Sequence, residues 1–367
     1  MPKSLRKKRI SVAILGCVGV PAQYGGFETL AENLVYYHRD HVQDVNLAVY
    51  CSSVAYYEKV EKFETASLRY IPLNANGKPA MFYDMWSLID AAFRGTNVVI
   101  LLGHGGSFVI PILKLVTKTK FITNIDGIEW RREKWSGLAR AIIRRSEACA
   151  VRHSHVLIAD NDAIRDYIAK EFDEGCEVIP YGGDHALSAE PDSAAVATLP
   201  ESYALALCRI EPENNVAMIL EAFATLDAPL VFVGNWDKSE YGRNLKARYA
   251  NHSNITIHDP VYEPRGLRAI RDRASMYIHG HSAGGTNPAL VEMMHFAIPI
   301  LAHGCSFNRF STEEKARYFT CAAELVEQFS SLSREEGTQL GAEMGEIARR
   351  RYTWDQIGKA YFKLLGD

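Results

Sequence analysis

The chain alternates short apolar runs with amphipathic helical patterns, and this alternation restricts its possible folds more than any other sequence feature. In the first half the apolar runs are Ile10–Leu15, Asn46–Cys51, Leu68–Ile71, Val98–Leu102, Phe121–Asn124, Val156–Ala159 and Cys176–Ile179. Helical patterns lie between them, at Thr29–His38, Asp84–Arg94, Leu138–Ala150 and Ala163–Phe172. Buried strands that alternate with helices are typical of a parallel sheet covered on both faces.

A second alternating series follows a change of composition. Residues 188–200 are rich in Ala, Ser, Pro and acidic residues without an apolar period, which is typical of a linker. Beyond them the apolar runs are Tyr203–Cys208, Leu230–Val233, Ile255–His258, Met276–His279 and Ile298–Leu301, with helical patterns at Asn215–Phe223 and Asn287–Phe296. We therefore predict an α/β chain of two Rossmann-like, doubly wound parallel-sheet domains with a ligand cleft between them.

The predicted domains are residues 1–190, residues 191–345 and a final helix within residues 346–367. The tail pattern Thr353–Leu365 places its apolar residues on one helical face, namely Trp354, Ile357, Tyr361 and Leu364. The total of 367 residues is enough for two domains of ordinary size.

Charge and cysteine usage narrow the class of partner and the compartment. The formal net charge is -3, so nothing in the global charge indicates nucleic acid. Basic residues crowd the N-terminus, at Lys3, Arg6, Lys7, Lys8 and Arg9. They fit a solvated tail or a contact with anionic lipid.

The compartment is indicated by what the sequence lacks. No apolar run reaches the length of about 20 residues that spans a bilayer, and Ile10–Leu15 is too short for a signal peptide. The seven cysteines form no CxxC pair. We expect a cytoplasmic protein.

Three glycine-rich or charged segments follow strands of the first series. Gly16–Glu28 contains four glycines and Tyr24, which fits a ligand loop or a plain turn, but its spacing is not G-x-G-x-x-G. Gly103–Ser107 places His104 at a strand end, as a ligand contact or a structural histidine. Asn124–Trp135 carries the carboxylates Asp126 and Glu129 ahead of a basic stretch bracketed by Trp130 and Trp135, which fits sugar recognition or a charged helix start.

Two segments of the second series are candidates for phosphate binding. Cys208–Asn215 places Arg209 at a strand end, where a guanidinium can bind a diphosphate or pair with Glu211 or Glu213. In His281–Glu292, free backbone amides before a helix capped by Asn287 fit a phosphate site or a purely structural turn. The sequence contains no H-E-x-x-H, G-x-S-x-G or P-loop motif and no paired-cysteine site, so we expect no metal.

These segments, in this order, resemble the retaining glycosyltransferases of family 4, and more narrowly a bacterial rhamnosyltransferase-like subgroup. The resemblance is carried by PAQYGGFETLAENL at Pro21–Leu34, DGIEWRREKW at Asp126–Trp135, RIEPENN at Arg209–Asn215 and GGTNPALVEMM at Gly284–Met294. It covers nearly the whole chain. It implies the GT-B fold, with an acceptor-side first domain, a nucleotide-sugar-binding second domain, and a final helix that packs back on the first.

The resemblance also implies residue roles. Arg209 would bind the donor diphosphate, Glu292 the ribose, and the Gly284–Asn287 amides the phosphates and the sugar. Asp126 stands near the transferred sugar, where many relatives carry histidine, and the glycines after Tyr24 would approach the diphosphate. The candidate catalytic residues are therefore Asp126, Arg209 and Glu292, and the candidate substrate-binding residues are Tyr24, Gly25, Gly26, His104, Glu129, Asn214, Gly284, Gly285, Thr286 and Asn287.

Two departures from the family pattern concern the donor. Asn214 stands where relatives carry a lysine, and Gly284 stands where they carry a glutamate. Both are shared with the rhamnosyltransferase-like subgroup and indicate an altered donor sugar. The implied reaction transfers L-rhamnose from dTDP-L-rhamnose, with retention and without cofactor or metal, to a glycan or lipid-linked oligosaccharide of a bacterial capsule or lipopolysaccharide. Peripheral contact of the protein with the inner face of the membrane is a further possible interaction.

Other classes of function stay open from the residues alone. GDP-fucose and UDP-sugars are alternative donors. A NAD-dependent oxidoreductase or nucleotide-sugar epimerase would also use glycine turns in an α/β sheet, although the missing G-x-G-x-x-G and the second complete series count against it. A non-catalytic sugar-binding relative is the third class.

Overall fold

The computed structural model describes residues 9–23, 25–77, 79–131 and 136–366, without the side chain of Arg131. These residues form two compact units. The first unit runs to Ile179 and resumes at Ile357, and the second is Pro180–Gln356. The N-terminal basic residues Lys3 to Lys8 lie outside the described residues.

The first unit is built on a largely parallel sheet. Its strands are β1 (Ile10–Leu15), β2 (Val45–Ser52), β3 (Lys62–Phe63), β4 (Ala66–Ile71), β5 (Val98–Leu102), β6 (Lys120–Ile125), β7 (Val156–Ala159) and β8 (Glu177–Val178). Its helices are α1 (Gly26–His41), α2 (Ala80–Phe93), α3 (Ile110–Val116), α4 (Gly137–His153) and α5 (Asp162–Phe172). The strand order is β3-β4-β2-β1-β5-β6-β7-β8. Of the pairs in this order, only β3 and β4 are antiparallel.

The direction of the connections sets which helices share a face of this sheet. The connection through α1 runs from β1 to β2, towards one edge of the sheet, whereas those through α2, α3, α4 and α5 run towards the other edge. Because crossovers between parallel strands are right-handed, α2 to α5 lie on one face and α1 lies on the other. Apolar residues of β1, β5, α2 and α3 form a shared core, which includes Leu15, Leu101, Leu88 and Ile110.

The second unit repeats the doubly wound arrangement. Its strands are β9 (Tyr203–Leu207), β10 (Leu230–Val233), β11 (Ile255–His258), β12 (Ala274–His279), β13 (Ile300–His303) and β14 (Arg317–Phe319). Its helices are α6 (Val216–Phe223), α7 (Glu240–Tyr249), α8 (Pro264–Asp272), α9 (Pro288–Met294), α10 (Ser306–Ser311), α11 (Ala322–Ser330) and α12 (Arg334–Arg351), and α13 (Trp354–Lys363) follows. The order β11-β10-β9-β12-β13-β14 is parallel throughout, so two parallel α/β sheets are confirmed.

The segment 188–200, with its linker composition, lies inside the second unit. The chain leaves the first unit after Ile179, whereas the predicted boundary followed residue 190. Val196 and Leu199 are buried, and the Asp192 amide donates to the Arg265 carbonyl at 3.0 Å. The segment packs on α8 through few apolar residues. Its composition therefore resembles that of a linker, although it belongs to the second unit.

The end of the chain belongs to the first unit, although the chain reaches it from the second. Residues from Ile357 onwards group with the first unit. Tyr361 is fully buried, and Asn124 Nδ2 donates to its hydroxyl at 2.6 Å. The Phe362 ring stacks on Tyr37 of α1, with centroids 5.6 Å apart. The predicted apolar face of the tail is confirmed, because Trp354, Ile357, Tyr361 and Leu364 are all buried.

Candidate functional site

The carboxylate of Glu28, in the first turn of α1, lies against the loop after β1. Gly25, at φ +130°, precedes α1, and a Cβ on it would lie 2.0 Å from Glu28 Oε2. Glu28 Oε1 accepts a hydrogen bond from the Val18 amide at 2.6 Å. Burial raises the pKa of Glu28 above its usual value, against the effect of its backbone donors. Gly25 thus makes room for Glu28, and Tyr24 lies outside the described residues.

His104 follows β5 as a buried imidazole. It is 7% exposed, and its Nδ1 has no hydrogen-bond partner among the described residues. Burial lowers the pKa of His104 to about 4, against the opposing charge of Glu129. The ring is therefore neutral at neutral pH, with a buried nitrogen that has no hydrogen-bond partner in the described chain.

Asp84 lies beside this loop and was not singled out from the sequence. It is in the second turn of α2, and a Cβ on Gly105 would lie 2.6 Å from its Oδ2. No side-chain hydrogen bond or ion pair reaches its carboxylate within the described chain. Burial raises the pKa of Asp84 to about 8. Such a carboxyl group beside a predicted ligand loop is a candidate for substrate contact.

The segment after β6 contains both predicted carboxylates. Asp126 follows the strand directly, and Glu129 begins a short 3-10 turn at Glu129–Arg131. Trp130 contacts other residues of the first unit: its Nε1 donates to the Tyr167 hydroxyl at 3.2 Å, and the Arg144 guanidinium lies over its ring. Residues 132–135, including Trp135, lie outside the described part of the chain.

In the second unit, Arg209 and Asn214 have opposite surroundings. Arg209 Nη2 lies 3.8 Å from Glu211 Oε2, and both side chains are 40% exposed. Such exposed pairs are weak, so the guanidinium is available to an anion. Asn214 is buried, and its Nδ2 donates to the Arg209 carbonyl at 2.7 Å. Asn214 therefore holds the loop that carries Arg209, at the position where the family resemblance places a lysine.

The segment before α9 has the predicted helix start. Asn287 Oδ1 accepts from the Ala289 amide at 3.0 Å, and Pro288 occupies the first helical position, so the predicted cap is confirmed. Thr286 is buried, and Gly285 precedes it. Gly284 has φ +122° with open space where a Cβ would lie. Because side chains rarely adopt this backbone region, a glutamate at 284 would require a different loop conformation.

Glu292 of α9 is held on both sides of its carboxylate. Its side chain is 12% exposed; Oε2 pairs with Arg271 of α8, and Oε1 lies 3.3 Å from His185 Nε2. Burial alone would raise the pKa of Glu292, but Arg271 and His185 outweigh it and bring it to about 2. A carboxylate offers about four acceptor positions. Glu292 is thus an ionised, fixed group with lone pairs left for hydroxyl donors.

His185 is oriented by a tryptophan at the start of α13. Trp354 Nε1 lies 2.9 Å from His185 Nδ1. Because an indole nitrogen only donates, Nδ1 must accept, and the proton of a neutral His185 must lie on Nε2, which faces Glu292. The Trp354 amide also donates to Asp184 Oδ1 at 2.9 Å. Arg271, His185 and Trp354 thus form a connected support for Glu292 that the sequence did not indicate.

Three imidazoles gather at the carboxyl ends of β12 and β13. The rings of His279 and His281 stack at 4.5 Å, and His303 ends the neighbouring strand. Burial, followed by the charges of His281 and His303, holds the pKa of His279 well below its usual value. In the described ranges, no group of three or more His, Cys, Asp or Glu side chains is arranged to hold a metal ion. Likewise, none of the described helices is long and apolar enough to cross a bilayer.

Comparison with known proteins supports the architecture. A family model described as a domain of unknown function, DUF1972, matches residues 9–184. No curated protein matches the chain. Sucrose-phosphate synthase from Thermosynechococcus elongatus has a similar structure, with a TM-score of 0.80 and 14% identity, covering 97% of this chain and 98% of that one.

Two further structures are similar over the same length. HepE from Anabaena, in complex with UDP-glucose, has a TM-score of 0.71 and 11% identity, with 98% of this chain and 100% of that chain covered. The α,α-trehalose 6-phosphate synthase from Burkholderia multivorans has a TM-score of 0.71 and 12% identity, with 98% and 96% covered. The chain therefore has the GT-B fold of two doubly wound parallel-sheet units.

Proposed function

We propose that this protein is a glycosyltransferase that takes its sugar from a nucleotide-sugar. The observation that carries the proposal is the likeness of fold over nearly the whole chain to proteins that include a UDP-glucose complex. Fold alone does not fix activity. The candidate residues of the second unit, at the carboxyl ends of its strands, add the chemistry that a donor requires.

The donor contacts we propose use one exposed cation and one fixed anion. Arg209 would bind the diphosphate, since within the described residues its exposed guanidinium is paired only through a long contact to Glu211. Glu292 would accept hydrogen bonds from the ribose hydroxyls, through the lone pairs that Arg271 and His185 leave unused. The backbone of Gly284–Asn287 would lie against the phosphates and the sugar.

For the finer identity of the substrates, we propose L-rhamnose from dTDP-L-rhamnose. Support comes from Gly284, whose backbone conformation disfavours the glutamate that stands there in the family pattern and would hold donor hydroxyls. The acceptor would be a glycan or a lipid-linked oligosaccharide of a bacterial surface polysaccharide, handled at the cytoplasmic side. In the first unit, His104, Asp126 and Glu129 are the proposed sugar contacts, and Asp84 joins them as a carboxyl group whose pKa burial raises to about 8.

We propose that transfer proceeds with retention. The acceptor oxygen forms a bond to the anomeric carbon on the face from which the diphosphate departs, the bond from that carbon to the phosphate oxygen breaks, and the acceptor proton passes to the departing diphosphate. Catalysis then depends on positioning and on stabilisation of the diphosphate charge by Arg209.

The test is a ligand panel followed by a transfer assay. The melting temperature would be measured with dTDP, GDP and UDP, because a ligand that binds the native state raises it. We expect dTDP to give the largest shift, and NMR of the product from dTDP-L-rhamnose to show the donor's anomeric configuration. Binding of NAD with no response to any nucleoside diphosphate would contradict the proposal, and an inverted product would contradict retention.

We also propose that transfer needs no metal ion. Since Arg209 and backbone amides are assigned to the diphosphate, EDTA should leave the initial rate unchanged. The same assay with added Mg²⁺ after EDTA treatment is the control. A rate that falls with EDTA and returns with Mg²⁺ would contradict metal independence.

A further inference from the structure

Helix α2 is apolar on two faces, and only one of them is covered. Tyr83, Leu88 and Ala91 pack into the core of the first unit. The opposite face carries large apolar side chains at spacings of four, three and four residues, all exposed: Phe82, Trp86, Ile89 and Phe93. A helix that is apolar all round is normally buried on every side. The exposed apolar face of α2 is therefore expected to contact another apolar surface.

The next two helices extend this property. On α3, Leu115 is 87% exposed, with Ile112 and Val116 also exposed. On α4, the exposed apolar residues are Leu138 and Ile142. Helix α3 packs against both α2 and α4, and all three lie on the same face of the sheet. We call the exposed surfaces of α2, α3 and α4 the helical face. Large apolar patches of this kind mark interaction sites.

The exposed charged residues of α2, α3 and α4 are all basic, and one of them, Arg144, lies 3.8 Å from Glu171 of the neighbouring α5. The acidic residues of α2, α3 and α4 are Asp84, Asp90 and Glu147, and none of them is exposed. Asp90 is paired with Arg94 at 2.6 Å and accepts a hydrogen bond from the Tyr50 hydroxyl at 2.7 Å. The exposed cations of these helices and of the residues that follow them are Arg94, Lys114, Lys118, Arg140, Arg144, Arg145 and Arg152.

We propose that the helical face docks on the surface of an anionic lipid bilayer. Exposed Trp and Phe side chains enter the boundary between headgroups and acyl chains, while neighbouring Lys and Arg attract anionic headgroups, as on interfacial amphipathic helices. The absence of exposed carboxylates on the three described helices favours this partner over a surface of mixed charge. The proposal rests on the proposed function only in that a lipid-linked acceptor would bring the enzyme to a membrane.

Vesicle sedimentation tests the docking. The full chain should bind vesicles of phosphatidylcholine mixed with phosphatidylglycerol and should bind pure phosphatidylcholine vesicles more weakly, with the difference lost in high salt. The variant Phe93→Ser/Leu115→Ser should bind about tenfold less tightly or worse, because two exposed apolar side chains no longer leave water. The variant Lys118→Glu/Arg145→Glu should lose the preference for phosphatidylglycerol.

The control is Tyr262→Ser, which removes a side chain that is 62% exposed in the second unit and should leave vesicle binding unchanged. Melting temperatures verify that every variant folds. Vesicle binding that is absent, or equal in wild type and Phe93→Ser/Leu115→Ser, overturns the proposal. So does a dimer abolished by that variant without vesicle binding, since the occupant is then a second copy of the chain. No sugar donor is present, so failure here is distinct from failure of the transfer assay.

Discussion

At the residue scale, the donor proposal depends on two charged side chains in contrasting surroundings. Arg209 is exposed beside Glu211, whereas Glu292 is enclosed between Arg271 and His185. Removing an exposed group changes binding with little effect on folding, while removing an enclosed one leaves a buried partner unpaired. The two residues are therefore expected to fail in different ways when they are substituted.

Replacement Arg209→Ala should lower the transfer rate by about 100- to 1000-fold, the usual loss when a donor to a developing anion is removed. The melting temperature should stay close to that of wild type, since the side chain is 40% exposed. Steady-state kinetics provide the measurement. Arg209→Lys should retain part of the rate as a point charge, and Glu211→Ala should stay active. Wild-type turnover by a folded Arg209→Ala variant would remove the assigned role.

Replacement Glu292→Gln should destabilise the protein by about 3 to 5 kcal/mol at neutral pH, because it leaves Arg271 buried without its counter-charge. The folded pKa of Glu292 lies below its usual 4.5, at about 2. Its contribution to stability is therefore complete above pH 4.5 and is lost as the pH falls through about 2.

Urea unfolding of wild type and Glu292→Gln over that pH range measures this contribution, with Glu211→Gln as the exposed control. The difference in unfolding free energy between wild type and Glu292→Gln should shrink on acidification. A difference that does not change with pH would refute the assignment.

At the element scale, strands were predicted best where an apolar run ends abruptly. β1, β5 and β10 coincide with their predicted runs to the residue. The two-residue β3 and the three-residue β14 were not predicted, because neither lies in an apolar run, whereas the equally short β8 lies within the predicted run Cys176–Ile179. Their position is set by the neighbouring strand rather than by their own sequence.

For the candidate site, the sequence could predict the loops but not their supports. Glycines and charged residues directly after a strand mark the carboxyl edge of a sheet, which is how Arg209 and the Gly284 segment were found. Asp84, His185 and Arg271 come from other elements, and only tertiary packing brings them to those loops. Tyr24 stays a prediction from sequence, as do the ligand roles of the other candidates.

The start of α13 should control the proton of His185. The indole of Trp354 packs so closely on Gly182 that a Cβ built there would lie 2.5 Å from it. In Trp354→Phe the ring still packs on Gly182, but the N–H donor to His185 is lost. We expect ¹⁵N NMR to show His185 changing from the Nε2-protonated form to a mixture, with the donor KM about fivefold higher, equivalent to one net hydrogen bond. Trp86→Phe, at an exposed site, is the control. An unchanged His185 signal would contradict the arrangement.

At the scale of the whole molecule, the first unit is assembled from two separate pieces of chain. Residues up to Ile179 are completed by those after Gln356. The final piece is tied in by Tyr361 and by Lys120 Nζ, which donates to the Leu364 carbonyl at 2.9 Å. The match to the family model, residues 9–184, contains the first piece but not the second.

A chain that ends at Gln356 should therefore be destabilised in the first unit by about 3 kcal/mol or more, since a fully buried tyrosine and its apolar neighbours are lost. Hydrogen exchange should quicken in β6 and α1 and stay unchanged in β9 and β12. Tyr361→Phe, which loses only the hydrogen bond from Asn124, should cost about 1 kcal/mol. Equal effects in both units would contradict this division.

The discontinuous first unit also determines how the gene for this protein could be rearranged. A circularly permuted gene that encodes residues 357–366 ahead of residue 9, through a flexible connection, would make the first unit continuous in sequence. The second unit, Pro180–Gln356, is already continuous. Each unit could then be exchanged as a single cassette, so that the first unit of one protein with this fold could be joined to the second unit of another without cutting through either core.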